Sequence, residues 1–445
     1  MNNKSTPDWF TKGSIYQINL RNFCAEGTIN AAAEELEFLA KLGFTTIYLC
    51  PIFEEDDNPD PNYISPRQMA SETGNPKNPY RMNDYFKIDS EYGSMDDLRR
   101  FTEKAHSLGL KVMLDLVYLH IGPNAPILSS FPNFAAHTED GRVELTGWNF
   151  PKLNFEDEGL CEYLWCNMTY YIGEIGVDGF RCDTGDHVPL DFWVEGRRRM
   201  KAINPNSVLL NEGRKAEYLE KAFDASYDFD WHKDLFEVAC GQLPVSALRE
   251  CYDKTAAHFS KNAVLVRDIE NHDIVTDWSP RIEIAAGHEG MEAIIALNYT
   301  VCGIPMTFCG NEIADSATLS MFANRFYMGK FEVTDRSIKD RDYSLRRQNI
   351  MRRLNELKKQ SEILCSGELI WLENSCPDSI ISFVRELDGK KIIFAANLTS
   401  APVTAKIDGA NLSLGNRLLE SIEQIKIEGE SINFPPYSYI LLEVE

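Results

Sequence analysis

The chain has 445 residues, a length that suits about two or three domains. Its 44% hydrophobic and 25% charged residues are those of a soluble globular protein, and no stretch approaches the roughly 20 apolar residues of a membrane span. A formal net charge of −23 disfavours nucleic acid, which is bound through Lys and Arg at phosphates, and suits a neutral substrate.

The first residues, Met1 to Asp8, are polar and carry no apolar signal-like core, so no secretory signal is expected. The 11 cysteines are an odd number, scattered without a CxxC pair. Several, such as Cys50, Cys182 and Cys309, sit in apolar strand-like runs. Reduced, buried thiols in a cytoplasmic protein are the expectation, rather than a disulfide framework or a zinc site.

Short β-rich runs alternate with longer amphipathic stretches. Ser14–Ile18 reads as a strand, Ile29–Leu42 as a helix, Thr45–Cys50 as a strand and Met95–Leu108 as a helix. Strand Lys111–Val117, helix Leu160–Ile175, strand Val177–Cys182 and helix Leu190–Ala202 follow. Then come strand Ser207–Leu210, helix Ala216–Phe223, a short strand Asp224–Tyr227, and one or two helices over Leu235–Ala257. Strand Ala263–Ile269, helix Gly290–Cys302, strand Ile304–Cys309 and helix Arg341–Lys359 close the series. The alternation is that of a parallel sheet, and the number of units fits a closed (β/α)8 TIM barrel. A doubly wound open sheet is the rival, but no Gly-rich phosphate turn follows the first strand.

Two irregular stretches interrupt the pattern, Glu54–Asn83 and Tyr118–Asp157. Both follow strands, so both belong at the C-terminal face, where barrel active sites are built. After about residue 361 short strands dominate, at Ile380–Arg385, Lys390–Ala396, Thr404–Ile407 and Tyr439–Val444. The expected division is a barrel over 1–117 and 158–360, an inserted subdomain after strand 3 over 118–157, and a C-terminal antiparallel β-sandwich over 361–445.

Four strand ends carry polar residues where apolar ones would be usual. They hold Asp115 and His120; Arg181 and Asp183; Glu212; and Asn271, His272 and Asp273. In a barrel these ends meet at one mouth. Acids crowded together cannot all ionise freely, so at least one pKa should be pushed up. One carboxylate kept ionised beside one kept protonated is the machinery of glycoside hydrolysis.

These segments resemble the four signature regions of the α-amylase family of glycoside hydrolases (glycoside hydrolase family 13). The matching stretches are Asp115-Leu-Val-Tyr-Leu-His120, Gly179-Phe-Arg-Cys-Asp183, the surroundings of Glu212, and Asn271-His272-Asp273. Ile15 to Phe23, Gly43 to Pro51, Tyr80 with Asp84-Tyr85, and Gly303 to Glu312 resemble further segments of the family. The resemblance spans about residues 13 to 360, and the tail resembles the family's C-terminal β-domain.

It implies a retaining α-glycoside hydrolase that cleaves maltodextrin-like, α-linked gluco-oligosaccharides. Asp183 would be the nucleophile, Glu212 the general acid and base, and Asp273 the residue that steadies the distorted sugar. Arg181 would hold Asp183 ionised, His120 and His272 would bond the sugar, and Tyr80 would stack on it. Retention requires Asp183 and Glu212 about 5 Å apart. Asp115, inside its strand, is equally readable as a buried support for Arg181 or as a substrate contact. A glycosyltransferase, isomerase or phosphorylase of the same fold is the alternative, with a non-catalytic sugar-binding protein behind it.

The sequence departs from the family at two places. Many members have an asparagine before the region-one histidine that ligates calcium; here it is Leu119, which has no oxygen to offer, so the usual calcium site is expected to be absent and no cofactor is expected. Region two continues Gly185-Asp186-His187 where starch-degrading members often have Lys-His. Asp186 is therefore expected to alter the leaving-group side, and His187 to be a substrate contact. The expected partner is an oligosaccharide in the cytoplasm, with no nucleic acid and no membrane.

Overall fold

Eight short parallel strands close on themselves: β1 Ile15–Ile18, β2 Thr46–Leu49, β3 Lys111–Leu116, β4 Gly179–Cys182, β5 Val208–Asn211, β6 Ala225–Tyr227, β7 Leu265–Asp268 and β8 Ile304–Phe308. Each pairs with its neighbours in chain order, and β1 pairs with β8 to complete the barrel. The computed structural model describes residues 6–260, 263–274, 280–409, 412, 415–429 and 431–444.

The barrel interior is layered. At its base Ile15, Met113, Val208, Leu210, Val266, Ile304 and Met306 form an apolar plug. One step further along the strands, inward positions switch to Gln17, Tyr48, Asp115, Arg181 and Asp268, all 3% exposed or less. Inward residues alternate with outward ones along each strand, so this polar layer lies over the plug, towards the strands' C-terminal ends.

The helices form where sequence reading places them, because their apolar positions recur at helical spacing and their ends are capped. Ile29–Lys41 starts at Thr28, whose hydroxyl accepts from Ala31 N–H. Met95–Ser107 starts with a capping box between Ser94 and Asp97. The stretch expected to be one or two helices is two, Phe229–Ala239 and Ser246–His258.

The loop after β2 is more regular than its Pro- and Asn-rich composition suggests. A hairpin of Phe53–Glu55 with Met82–Ile88 brackets it, and a short helix, Pro66–Ser71, sits inside. Asp56, in the acidic part of this loop, accepts backbone N–H groups from Asn58 and Asn124 and lies 3.5 Å from Arg81. It fastens the β2 loop to the segment after β3. That segment, 118–157, is held by isolated bridges such as His120 with Lys152 and Leu145 with Pro151. Leu119 is buried in the apolar core.

The C-terminal part holds a five-stranded antiparallel sheet and a three-stranded one. Ile380, Val384, Ile393 and Leu442 of the first pack against Ala405, Ile432 and Phe434 of the second. Four strands here went unread in the sequence: Glu368–Trp371, Asn416–Glu420, Lys426–Glu428 and Ser431–Phe434. All four are short; three lie at sheet edges, where packing rather than alternation decides the conformation, and Ser431–Phe434 is the middle strand of the smaller sheet. All eleven cysteines are unpaired thiols. Among the described residues no helix is long and apolar enough to cross a membrane.

Candidate active site

The strand ends converge on one guanidinium. Arg181, on β4 and 1% exposed, donates from Nη1 to both oxygens of Asp115 at 2.8 and 2.9 Å and to Asp183 Oδ1 at 2.9 Å. Its Nη2 lies 2.8 Å from Glu212 Oε1. One cation therefore serves three carboxylates, from the ends of β3, β4 and β5. Asp115 also accepts from Tyr48 OH at 2.6 Å and Tyr80 OH at 3.1 Å, which uses its lone pairs within the protein. Of the two roles open to Asp115, this is the supporting one.

The chain turns sharply after β4. Thr184 has φ of +42°, a left-handed conformation that costs a non-glycine residue about 1–3 kcal/mol. The turn aims Thr184 N–H at Glu212 Oε2, 2.7 Å away. Gly185 follows because a Cβ there would lie 2.2 Å from Asn211 Oδ1. Asp186 turns away from the mouth. Its carboxylate accepts from Asn211 Nδ2 at 2.9 Å, from Lys215 N–H at 2.8 Å and from Arg214 N–H. The expected influence of Asp186 on the leaving-group side is thus replaced by a structural one: it pins the loop that follows Glu212. His187 is exposed and lines no part of the cavity described below. The short turn Gly185–His187 points it outward, so the expected sugar contact at His187 has no geometric support.

Burial dominates the electrostatics. It pushes the Asp183 carboxyl well above its ordinary range; Arg181 opposes this, and the neighbouring charges of Glu212, Asp115 and Asp273 reinforce it. Glu212 is also raised, by burial first, against Arg181 and the Thr184 N–H. Arg181 favours the ionised form of Asp183, as expected, while burial opposes it. A guanidinium divided among three carboxylates does not fully offset their burial, so the coupled Asp183–Glu212 pair takes up a proton more readily than isolated carboxyls would. Glu212 has the better anion contacts of the two, with two close N–H donors.

Asp273 behaves oppositely. Its side chain is 38% exposed, and Arg67 reaches it from the β2 loop: Nη1 donates to Oδ1 at 2.6 Å and Nη2 to the main-chain oxygen at 3.0 Å. Desolvation would raise its pKa, but His272, Arg67 and Arg181 outweigh it and hold the carboxyl well below the usual range. His272 Nε2 is 3.3 Å from Asp273 Oδ2, while Gln17 Nε2 donates to His272 Nδ1 at 2.8 Å. This bond fixes the tautomer with its proton on Nε2. Asn271 accepts from Asp273 N–H and Ile274 N–H, folding the turn that presents both groups.

Tyr80 lines the pocket with its ring stacked on His272 at 5.5 Å. His120 is 2% exposed, and burial pushes its pKa down to about 4. Its Nε2 donates to Tyr80 O at 2.9 Å, and Nδ1 has no hydrogen-bond partner among the described residues. A neutral acceptor in the pocket wall suits a sugar hydroxyl.

Asp183, Glu212, Asp273, Thr184, Arg67, Tyr80 and His120 line a cavity of about 100 Å³, together with Ser65, Asn78, Trp148, Phe150, Met321 and Phe322, while Arg181 and His272 stand behind its wall. A larger cavity, about 1170 Å³, lies at the other end of the barrel, against Leu265, Ile304 and the strand Glu368–Trp371, and none of the candidate acids borders it. The chemistry decides between them. Sequence reading did not find Arg67, Trp148, Thr184 or Phe322. The placement of the two long loops after strands hinted at Arg67 and Trp148, and nothing in the sequence pointed to Thr184 or Phe322.

Residues 4–129 match the model of the α-amylase catalytic domain. The chain is similar there to the α-amylase family of glycoside hydrolases. It is 26% identical over 325 residues to an α-amylase of Haloarcula japonica, covering 69% of the chain and 45% of that protein. It is 25% identical over 426 residues to an intracellular maltogenic amylase of Bacillus subtilis, covering 89% of the chain and 66% of that protein. The chain thus spans about half to two thirds of the length of these curated relatives. Its fold is that of a maltogenic α-amylase from Thermotoga neapolitana, with a TM-score of 0.81 at 21% identity over 98% of this chain and 99% of that one.

Proposed function

We propose that the protein is a retaining α-glycosidase that cleaves α-linked gluco-oligosaccharides by double displacement. One observation carries the reading: Asp183 and Glu212 are held by the two terminal nitrogens of a single buried guanidinium, within the cavity that Asp273 also lines. Carboxylates placed this closely suit attack by one and proton transfer by the other on the same glycosidic bond.

In the first step Asp183 attacks the anomeric carbon, the bond to the leaving oxygen breaks, and Glu212 gives that oxygen a proton. In the second, Glu212 takes a proton from water, the water oxygen bonds to the anomeric carbon, and the ester to Asp183 breaks. The first step needs the pair's proton on Glu212 and Asp183 ionised. Developing positive charge on the sugar favours that distribution, because it stabilises an anionic Asp183. Asp273, kept ionised, accepts from sugar hydroxyls beside His272. The unpartnered Nδ1 of His120 accepts another.

Relatives named maltogenic amylase, cyclomaltodextrinase and α-amylase support a maltodextrin-like substrate. The eleven unpaired thiols and the relatives named intracellular support a cytoplasmic location. The test is a panel of α-linked oligosaccharides with chromatography of the products and NMR of the first-formed anomer. Release of the α anomer is expected. A β anomer would overturn the assignment of Asp183 as nucleophile.

A further inference from the structure

Arg67 is the surprise of the site. It comes from a loop with no helical or strand period, 206 residues before Asp273 in sequence, yet grips that residue at both its carboxylate and its main-chain oxygen. The loop is built to hold it there. Ser65 caps the helix Pro66–Ser71 by accepting from Gln68 N–H at 3.2 Å, and Gln68 in turn donates to the main-chain oxygen of Asn75 at 2.9 Å. Asn78 donates to Gln68 Oε1 at 3.1 Å, and Asn75 donates to Phe322 O at 2.9 Å, tying the loop after β2 to the loop after β8. Ser65 and Gln68, on either side of Arg67, are 2% and 4% exposed. The Arg67 guanidinium lies 5.8 Å from the centre of the Phe322 ring. Anchors on both sides and an aromatic ring in contact leave the fork a narrow choice of position.

We propose that Arg67 is a positioning residue for Asp273. By occupying Oδ1 and the main-chain oxygen it fixes the carboxylate's rotation, so that Oδ2 stands beside His272 Nε2, 3.3 Å away. A sugar hydroxyl then donates to Asp273 Oδ2, while His272 Nε2 gives its proton to Tyr80 OH and holds that edge of the pocket in place. Without Arg67 the carboxylate of this 38%-exposed side chain turns freely about its bonds, and the hydroxyl loses its partner in the transition state. The proposal rests on the glycosidase reading above.

The experiment compares wild type, Arg67→Ala and Arg67→Lys on an aryl α-glucoside and on its deoxy analogues, each lacking one ring hydroxyl. For Arg67→Ala, kcat is expected to fall about 100-fold, the cost of a misplaced catalytic contact, with KM within a few-fold of wild type. Arg67→Lys restores the charge but not the fork and recovers part of the loss. The decisive readout is the substrate series. Wild type pays a penalty on the analogue lacking the hydroxyl held by Asp273, and in Arg67→Ala that penalty collapses while those for other hydroxyls persist. Binding of a maltodextrin to Asp273→Ala, with and without Arg67→Ala, gives a second readout: no further loss is expected, because Arg67 acts through Asp273. Equal loss on every analogue, additive losses in the double variant, or faster turnover by Arg67→Ala would each overturn the proposal. Wild type without turnover on any α-glucoside overturns both readings; turnover unaffected by Arg67→Ala overturns this one alone.

Discussion

Asp183 and Glu212 are joined through the guanidinium of Arg181, which reaches one from Nη1 and the other from Nη2 at 2.9 and 2.8 Å. The same cation carries Asp115 at 2.8 Å. Negative charge around it exceeds positive, and burial keeps water from making up the difference. The site stores electrostatic stress at the groups the reaction uses, and that stress is measurable in stability as well as in rate.

Asp183→Asn should make the protein more stable at neutral and alkaline pH while abolishing turnover. The folded-state pKa of Asp183 is raised above its unfolded value of about 3.9. Stability linked to this group is therefore intact below pH about 4 and is lost as pH rises through the raised folded value. Asparagine removes the titration. The thermal midpoint of Asp183→Asn should exceed that of wild type at pH 8, and the difference should shrink towards pH 4. A wild type that is the more stable at pH 8 would contradict the raised pKa.

Removing Arg181 should do the reverse. Arg181→Ala leaves three carboxylates around a buried hole, and breaking a buried charge cluster from one side costs about 3–5 kcal/mol. Denaturant unfolding at pH 7.5 should show a loss of that size, and lowering the pH towards 5 should recover part of it as the stranded acids protonate. A loss that is the same at both pH values would mean that cavity formation, not charge, sets the cost.

The strand-end acids were legible in the sequence because a polar residue closing an apolar β run has few structural excuses. Arg181-Cys182-Asp183, Glu212 and Asn271-His272-Asp273 stand out against Val, Leu and Ile, and the barrel brings strand ends together wherever they fall along the chain. Arg67 gives no such signal, since it lies between Ser65-Pro66 and Gln68 in a stretch with no period, and its partner is set by how two loops pack. Asp186 misleads for a related reason. Three residues after Asp183, it is turned the other way by three hydrogen-bond donors from β5 and the loop after it. His187 follows the same turn outward. The short C-terminal edge strands escaped notice because sheet edges place few demands on side chains.

Burial holds His120 neutral, with its pKa pushed down to about 4. It should therefore not shape the pH profile above pH 5. His120→Asn should remove the sugar contact proposed for it, worth about 1–2 kcal/mol, so kcat/KM should fall roughly tenfold or somewhat more. The acid limb of kcat/KM, which reports the Asp183–Glu212 pair, should keep its midpoint. A limb that moves or vanishes in His120→Asn would assign it to the histidine instead.

Asp186 offers a test of how Glu212 is held. Its carboxylate takes N–H groups from Arg214 and Lys215, directly after Glu212, and the side-chain amide of Asn211, directly before. Asp186→Ala strands these donors at a cost of about 1–3 kcal/mol and frees the loop beside Glu212. The catalytic damage should depend on the leaving group. A glucoside with an unactivated alcohol as leaving group needs the proton from Glu212, and general acid catalysis is worth about 10²–10⁴ in rate, so part of that range should be lost. Glucosyl fluoride leaves with little help and should be turned over at nearly the wild-type rate. Equal losses on both substrates would show that Asp186 supports the whole pocket rather than the proton donor, and that the turn after β4 does not act through the acid at the end of β5.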